Sequence, residues 1–167
     1  MNLVRLMSVD LIEMQLPAPE EPPDNPELNI AKWKQKQKEN LLEDFVVILE
    51  KSNQVLHRRK LHTDFVNRER QASTGLVNGL AIPHVRSRYI RDAVVGFARS
   101  FEGIEFNAMD GQLSHLFFII ATPAKEGDLH LKIYKQLATM FHFDGTYDQF
   151  MWADKPGEIL RIIRQFD

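Results

Sequence analysis

A histidine at the end of a short apolar segment is the side chain in this sequence best placed to do chemistry. His84 follows Leu80–Pro83, and a turn rich in glycine, asparagine, serine and threonine comes before it, in residues 73–79. Because Pro83 fixes its own φ and favours an extended Ile82, we predict a brief strand that ends abruptly and presents the imidazole. Near neutral pH much of the imidazole is uncharged and can act as a nucleophile. On spacing alone, an incidental histidine in a surface loop fits at least as well.

Arg68 and His130 also carry groups that could do chemistry, but their spacing alone does not assign them to the same site. Arg68 lies sixteen residues before His84, near the end of a predicted helix. A guanidinium suits phosphate, although an arginine at a helix end is more often a surface residue. His130 lies in the first turn of a helix predicted from Asp128 to about Phe141, on its apolar face. Taken alone, a hydrogen-bonded core histidine is the commoner interpretation there.

The segment from Ser73 to His84 resembles the active-site motif of the enzyme IIA proteins of the phosphoenolpyruvate-dependent sugar phosphotransferase system, in the fructose/mannitol and nitrogen-regulatory class. The family pattern is roughly S-T-G-(I/L)-x-N-G-(I/L)-A-I-P-H, and residues 73–76 and 78–84 match it. A weaker likeness extends from about Leu41 to the C-terminus. It includes the stretch around His130, where the family also has a histidine before a helix.

The resemblance implies a phosphoryl carrier. His84 would accept a phosphoryl group on Nε2 from the phosphocarrier protein HPr and pass it to an enzyme IIB protein. His130 would stabilise charge on the phosphoryl oxygens, and Arg68 would add a charge-assisted contact. The turn would supply the neutral donors, from Thr74, Gly75 and Asn78. No metal or organic cofactor is implied. In the transport class the acceptor is an enzyme IIB cysteine, and since this chain has none, we expect that acceptor on a separate protein.

The residues after the motif depart from the family pattern. Val85 stands where the family commonly has glycine or another small residue. A branched side chain there could narrow the approach to the imidazole. Arg86, Arg88 and Arg91 follow closely, which would favour a partner with an acidic rim. The departure bears on the identity of the partner more than on phosphorylation itself.

Other functions stay open at this point. A regulatory protein of the nitrogen class would be phosphorylated on His84 but would control other proteins by binding them in one phosphorylation state. A binding module of the same fold would have lost phosphotransfer, although the joint presence of His84, His130 and Arg68 argues against it. A metal hydrolase would need H-E-x-x-H or a similar cluster of ligands, and the sequence has no such spacing.

Composition limits the class of protein further. The chain has 167 residues, 44% of them hydrophobic, which suits one domain with a sizeable core. With 21 basic and 23 acidic residues the formal net charge is -2, so nucleic acid or an anionic membrane is not indicated as a partner. There is no cysteine, no phosphate-binding loop of the ATPases and no dinucleotide fingerprint. Without a long apolar run or a signal-peptide core, we expect a soluble cytoplasmic protein, with a homo-oligomer possible.

The order of predicted elements indicates a single α/β (α+β) domain, with a mixed central sheet flanked by helices on both faces and an N-terminal extension. The extension would cover residues 1–28, and the enzyme IIA domain residues 29–167. Within the extension, residues 3–16 could be a strand or a short helix, and residues 17–26 read as an acidic, proline-rich linker. This front section could be a docking arm, a dimerisation element or a tail lying on the domain.

The hydrophobic periodicity places the elements of the domain itself. Helical spacing predicts helices within 29–52, over 57–70 and 128–141, and from about Pro156 to the end. Residues 93–98 read as a buried strand, and residues 101–110 as a hairpin or bulged connection. The run LFFIIA at 116–121 predicts a central strand covered on both faces.

Overall fold

The protein folds as a mixed β-sheet with helices on both of its faces, as the sequence predicts. The computed structural model describes residues 1–167. The α-helices are α1 (Ile30–Glu50), α2 (Arg58–Gln71), α3 (Leu129–Met140), α4 (Thr146–Trp152) and α5 (Pro156–Arg164). The strands are β1 (Ile12–Glu13), β2 (Leu80–Ala81), β3 (His84–Ser87), β4 (Val94–Ile104) and β5 (Ser114–Pro123). Short 3₁₀ helices span Leu3–Leu6, Val9–Leu11 and Ala124–Glu126.

The strand β5 is the centre of the sheet. One of its edges pairs antiparallel with β4, and the register is irregular between Arg99 and Ile104, where the predicted bulged connection lies. Its other edge pairs in parallel with both β2 and β3, which follow one another along it. The short strand β1 adds in parallel to the outer edge of β4. The sheet order is therefore β1-β4-β5, with β2 and β3 sharing the far edge.

Two apolar layers cover the sheet, one on each face. Phe117, Ile119 and Ala121 of β5 lie in the layer that α1 and α2 close, and the residues that alternate with them lie in the layer under α3, α4 and α5. This alternation follows from the two-residue repeat of a strand. It explains why the run 116–121 is continuously apolar: both of its faces are buried.

The N-terminal segment is part of the core. Residues 3–16 form two 3₁₀ turns followed by β1, so neither a regular helix nor a long strand is found. Leu3, Leu11 and Leu16 are each at most 3% exposed. The Asp167 carboxylate accepts the amide hydrogens of Leu3 and Val4, at 2.8 and 3.1 Å. Residues 17–27 are exposed, as a linker would be. The domain boundary at residue 28 stays a prediction, but residues 3–16 share the hydrophobic layers of the domain.

Helix starts follow the sequence signals in one case and depart from them in another. Asn29 caps α1, because its side chain accepts the amide hydrogen of Lys32 at 3.1 Å. Asp128 lies directly before α3, as expected, but its side chain makes no capping hydrogen bond. Its carboxylate lies 3.7 Å from Nζ of Lys132 instead, one turn along the helix.

None of the helices is both long enough and apolar enough to pass through a membrane.

The packing of the N-terminal segment can be tested at two neighbouring positions. Leu11→Ala should lower the free energy of unfolding by about 2 to 4 kcal/mol, because it empties a core site. Val9→Ala, in the same 3₁₀ turn but 49% exposed, should change it by less than about 0.5 kcal/mol. Urea unfolding of the two variants measures both. Equal effects would mean that the segment lies loosely on the domain.

Candidate active site

The turn before His84 depends on backbone conformations that few residues adopt. Gly79 has φ +82° and Asn78 has φ +58°, both in the left-handed region. A Cβ on Gly75 would lie 2.8 Å from Cα of Ala108, so a side chain there would displace the neighbouring loop. These conformations turn the chain back so that β2 lies along β5. Two residues later β3 begins at His84, opposite Ile120.

One hydrogen bond fixes the state of the His84 ring. Its Nδ1 lies 2.8 Å from the carbonyl oxygen of Ile82, to which it donates. The proton is therefore on Nδ1, and Nε2 carries a free lone pair. The Arg68 guanidinium is next to that lone pair, with Nη2 3.4 Å from Nε2. Arg68 is itself held by a 2.8 Å bond from Nη1 to the carbonyl of Ala72.

Two aromatic side chains of α3 close the other side of the imidazole. The His130 ring lies parallel to that of His84, with centroids 6.0 Å apart and planes inclined by 24°. Tyr134, one turn further along α3, meets the His84 ring edge-on at 5.2 Å. Nδ1 of His130 is buried and has no hydrogen-bond partner.

The imidazole lines an open cleft of about 340 Å³. His84 is only 9% exposed, and its exposed part faces the cleft. The cleft is formed by side chains of α2, β3 and α3, which are Asp64, Asn67, Arg68, Gln71, His84, Val85, Arg86 and His130. Arg86 is positioned by a 3.2 Å bond from its Nη1 to the carbonyl of Gly127. A cleft of this kind, with two guanidinium groups and two imidazoles, suits a phosphate-sized anion.

Burial and charge lower the pKa of both imidazoles. For His84 the largest cause is desolvation, which the hydrogen bond to Ile82 partly opposes and the charge of Arg68 reinforces. For His130 desolvation is again the largest cause, followed by the charges of Arg86 and Arg68. Both rings are therefore neutral at pH 7. A neutral imidazole with its lone pair beside a cation is a nucleophile prepared for an anionic electrophile.

Comparisons with known proteins identify the family of the chain. The family model described as phosphoenolpyruvate-dependent sugar phosphotransferase system, EIIA 2, matches residues 25–166. The chain belongs to this family. The fructose-specific EIIABC component of Bacillus subtilis is 33% identical to it over 132 residues, which are 79% of this chain but 21% of that protein. The chain thus spans about a fifth of that relative's length.

Two solved structures share the fold. The nitrogen regulatory protein IIA-Ntr of Neisseria meningitidis superposes with a TM-score of 0.79 at 24% identity, covering 96% of this chain and 97% of that one. The mannitol enzyme IIA of Escherichia coli, determined in complex with phosphorylated enzyme IIB, gives 0.72 at 16% identity, covering 95% and 97%. At these identities the likeness is one of fold.

Three of the residues that the sequence singled out are brought together in this EIIA 2 domain. His84, Arg68 and His130 all line one cleft, although they come from three separate elements. Val85, the departure from the family pattern, turns into the hydrophobic layer on the side of α1 and α2 and is 6% exposed. The cleft above the imidazole stays open beside it.

The three predicted neutral donors do not line the cleft, and their part in phosphoryl binding stays a prediction. The Thr74 hydroxyl and amide both donate to the Glu69 carboxylate, at 2.7 Å each. The Gly75 amide donates to the hydroxyl of Ser73, and the Asn78 amide donates to Asp110. Each donor is already used within the protein, and none of the three residues lines the cleft. They shape the turn.

Sequence reasoning missed the polar face of α2. Asp64, Asn67 and Gln71 line the cleft together with Arg68. Their separations of three, four and seven residues put them on one side of a helix, and that spacing could have identified them. Asp64 also accepts the hydroxyl of Ser87 at 2.6 Å, which ties α2 to the end of β3. Nowhere do three or more histidines and carboxylates form a group that could hold a metal ion.

The contribution of Arg68 to the state of His84 can be measured. Arg68→Gln should raise the pKa of His84 towards its ordinary value, because the guanidinium disfavours the imidazolium. Arg70→Gln provides the control, since Arg70 is on the same helix but is exposed and paired with Glu39. NMR titration of the imidazole signals gives both values. A shift as large in the control as in Arg68→Gln would contradict this assignment.

The lowered pKa values also set how stability depends on pH. The pKa values of His84 and His130 are lower in the folded protein than in the unfolded chain. Below the ordinary pKa of 6.5, the unfolded chain therefore binds more protons than the folded protein. Their contribution to stability is therefore complete above that pH and is lost as the pH falls below it. Urea unfolding between about pH 5 and pH 7 should show this decline, and His84→Gln should make it shallower. An unchanged slope in the variant would contradict the shift.

Proposed function

We propose that this EIIA 2 domain is a phosphoryl carrier that is phosphorylated on Nε2 of His84. One observation carries the proposal: the bond from Nδ1 to the Ile82 carbonyl leaves Nε2 as the nucleophile, with Arg68 3.4 Å away in an open cleft. The donor is a phosphorylated HPr-type carrier, and the acceptor is an enzyme IIB protein. The family membership and the cleft support both partners.

The transfer step needs no base. The Nε2 lone pair attacks the phosphorus of the donor, a nitrogen–phosphorus bond forms, and the bond to the donor atom breaks with its electron pair leaving on the donor. Nδ1 keeps its proton and its bond to Ile82, so the charge that the ring gains is shared with a carbonyl dipole. Reversal of the same step, with a thiolate as nucleophile, would deliver the group to the acceptor.

The cations of the cleft stabilise the charge that moves. Arg68 lies beside Nε2 and can donate to an equatorial phosphoryl oxygen. His130 is neutral in the empty site, and a phosphoryl dianion next to it would raise its pKa and let it bind a proton from solvent. The interaction then strengthens when the group arrives and weakens when it leaves. A carrier needs this property, because it must bind the group without retaining it.

The names of similar proteins support the choice of acceptor. The mannitol enzyme IIA was determined in complex with phosphorylated enzyme IIB, and the Bacillus subtilis relative is named as a fructose-specific EIIABC component. The 167 residues contain no cysteine, so a thiol acceptor lies outside them. Arg88 and Arg91 are exposed after β3 and favour acidic side chains on whichever partner docks there.

A regulatory role is the second candidate. Its support is the likeness to the nitrogen regulatory protein of Pseudomonas aeruginosa, which is 25% identical over 126 residues, 75% of this chain and 82% of that protein. The protein would then accept the phosphoryl group on His84 in the same way but bind a target in one phosphorylation state. The two candidates share the first step and differ in the acceptor.

Phosphorylation can be tested by intact-mass measurement at alkaline pH after incubation with enzyme I, HPr and phosphoenolpyruvate. The protein should gain the mass of one phosphoryl group, and His84→Gln should gain none. His142→Gln, which removes an exposed histidine, should behave like the parent. His130→Ala should still be phosphorylated but should transfer the group onward about a hundredfold more slowly. A phosphorylated His84→Gln would place the group elsewhere.

The acceptor is tested with the phosphorylated protein itself. Rapid loss of the phosphoryl group to an added enzyme IIB, detected on the acceptor cysteine, supports the transport carrier. A stable phosphoprotein in the presence of enzyme IIB would instead support the regulatory role.

A further inference from the structure

A buried ion pair lies behind the cleft, on the opposite side of the end of α2. Nζ of Lys38 is 3.0 Å from the Glu69 carboxylate, and the two side chains are 8% and 5% exposed. Lys38 also donates to the Phe106 carbonyl at 3.3 Å and to Oδ1 of Asn107 at 2.9 Å. Its ammonium lies 4.3 Å from the centre of the Phe106 ring. Every donor of the buried lysine therefore has a partner.

The Glu69 carboxylate uses both of its oxygens on a single residue. Oε1 accepts the amide hydrogen of Thr74, and Oε2 accepts its hydroxyl hydrogen, each at 2.7 Å. Two charge-assisted bonds to one threonine fix the position of both its backbone and its side chain. Thr74 lies three residues after the end of α2, in the turn of residues 73–79.

The contacts continue without a break to the candidate nucleophile. The carbonyl of Thr74 accepts the amide hydrogen of Ile82 at 3.0 Å. The carbonyl of Ile82 accepts Nδ1–H of His84 at 2.8 Å. Lys38, Glu69, Thr74, Ile82 and His84 thus form one hydrogen-bonded path from α1 to the imidazole. All five residues are buried, which strengthens the hydrogen bonds between them.

From this path we infer that Glu69, held by Lys38, is a positioning residue of the phosphoryl site. It sets the place of Thr74, hence of the Ile82 carbonyl, and hence the tautomer and orientation of the His84 ring. The inference rests on the proposed function, because it assigns a role in that reaction. It also accounts for the Thr74 hydroxyl, which is directed to the carboxylate and away from the cleft.

Glu69 also ties the nucleophile to its cation. Arg68 and Glu69 are consecutive in α2, so their side chains leave the helix in different directions. Arg68 enters the cleft, whereas Glu69 turns inward to Thr74. The same turn of helix therefore positions the guanidinium directly and the imidazole indirectly. The Glu69 charge also opposes the effects of Arg68 and His130 on the pKa of His84.

The stability of the fold does not by itself explain why Lys38 and Glu69 form a buried ion pair. A buried ion pair is often no more stabilising than apolar side chains of similar volume, because both charges lose their hydration. The ion pair does supply a fixed geometry, because three directed contacts, from Nζ of Lys38 and from the amide and hydroxyl of Thr74, hold the Glu69 carboxylate in one position. A site that must hold a ring within a fraction of an ångström benefits from such support.

The test compares Glu69→Gln with Glu39→Gln. The amide of the first variant cannot accept both Thr74 hydrogens, and it removes the charge. The second variant breaks another ion pair between the same two helices, that of Glu39 with Arg70 at 2.7 Å, without touching Thr74. Nitrogen NMR of the imidazole in each variant reports the tautomer and the titration of His84 directly.

The expected spectra are distinct. Glu69→Gln should lower the midpoint of the His84 titration, because it removes the negative charge, and should populate the tautomer with the proton on Nε2. Glu39→Gln should match the parent in both respects. This part of the test does not require the protein to be a phosphoryl carrier, so it separates failure of the inference from failure of the proposed function.

Transfer rates from phosphorylated HPr give the second readout. Glu69→Gln should lower kcat about tenfold, the expected effect of one lost charge-assisted bond, with little change in KM because the docking surface is intact. Glu39→Gln should keep the parental kcat and KM. If Glu69→Gln does not fold, Thr74→Val removes the hydroxyl alone, and Thr74→Ser restores it. A folded Glu69→Gln or Thr74→Val with parental spectra and rates would overturn the inference.

Discussion

The site depends on one short hydrogen bond, from Nδ1 of His84 to the carbonyl of Ile82. A neutral imidazole has two tautomers, and only the one protonated on Nδ1 leaves a lone pair on Nε2 beside Arg68. The acceptor is a backbone carbonyl two residues away, so the tautomer is set by the conformation of the strand rather than by a mobile side chain. Pro83 between the two residues restricts that conformation, and pairing with β5 on either side of it holds the strand in register.

The burial of the imidazole has two effects that work together. Desolvation lowers its pKa, so the ring stays neutral at pH values where an exposed histidine begins to charge. The same burial leaves open only the side that faces the cleft, where the cations lie. An anion that enters the cleft therefore meets the lone pair and the positive charges at once. The sheet makes this possible because its edge at β3 is covered by α2 on one side and α3 on the other.

The main helices and strands could be predicted from the sequence, and so could three residues of the cleft, His84, Arg68 and His130. The physical reason differs from one to the next. Apolar spacing is a direct consequence of burial, so α1, α2, α5 and the central strand could be predicted from it. His84 could be selected because proline and glycine restrict the backbone around it. Arg68 and His130 could not be selected from spacing, and only the likeness of the motif pointed to them.

Other features could not be predicted from the sequence, because contacts between distant parts of the chain decide them. The hydroxyl of Thr74 looked like a phosphoryl donor because nothing local shows that a carboxylate five residues earlier takes it. Glu69 stands in the charged run of residues 67–71, which reads as solvent-exposed, yet it is buried against Lys38. The strand β1 has two residues, and a segment that short carries no periodicity. In each case a tertiary contact decided the outcome.

The hydrogen bond between Leu3 and Asp167 has a consequence for the order in which the segments of the chain could be connected. Leu3 and Val4 donate hydrogen bonds to Asp167, while residues 17–27 are exposed. A new peptide link from Asp167 to Leu3, with a break in the chain within residues 17–27, would place the first two 3₁₀ turns after α5 in sequence. The turns would keep their position in space. A circular permutant of this kind would keep the sheet and the cleft, since nothing in either depends on the order in which these segments are linked.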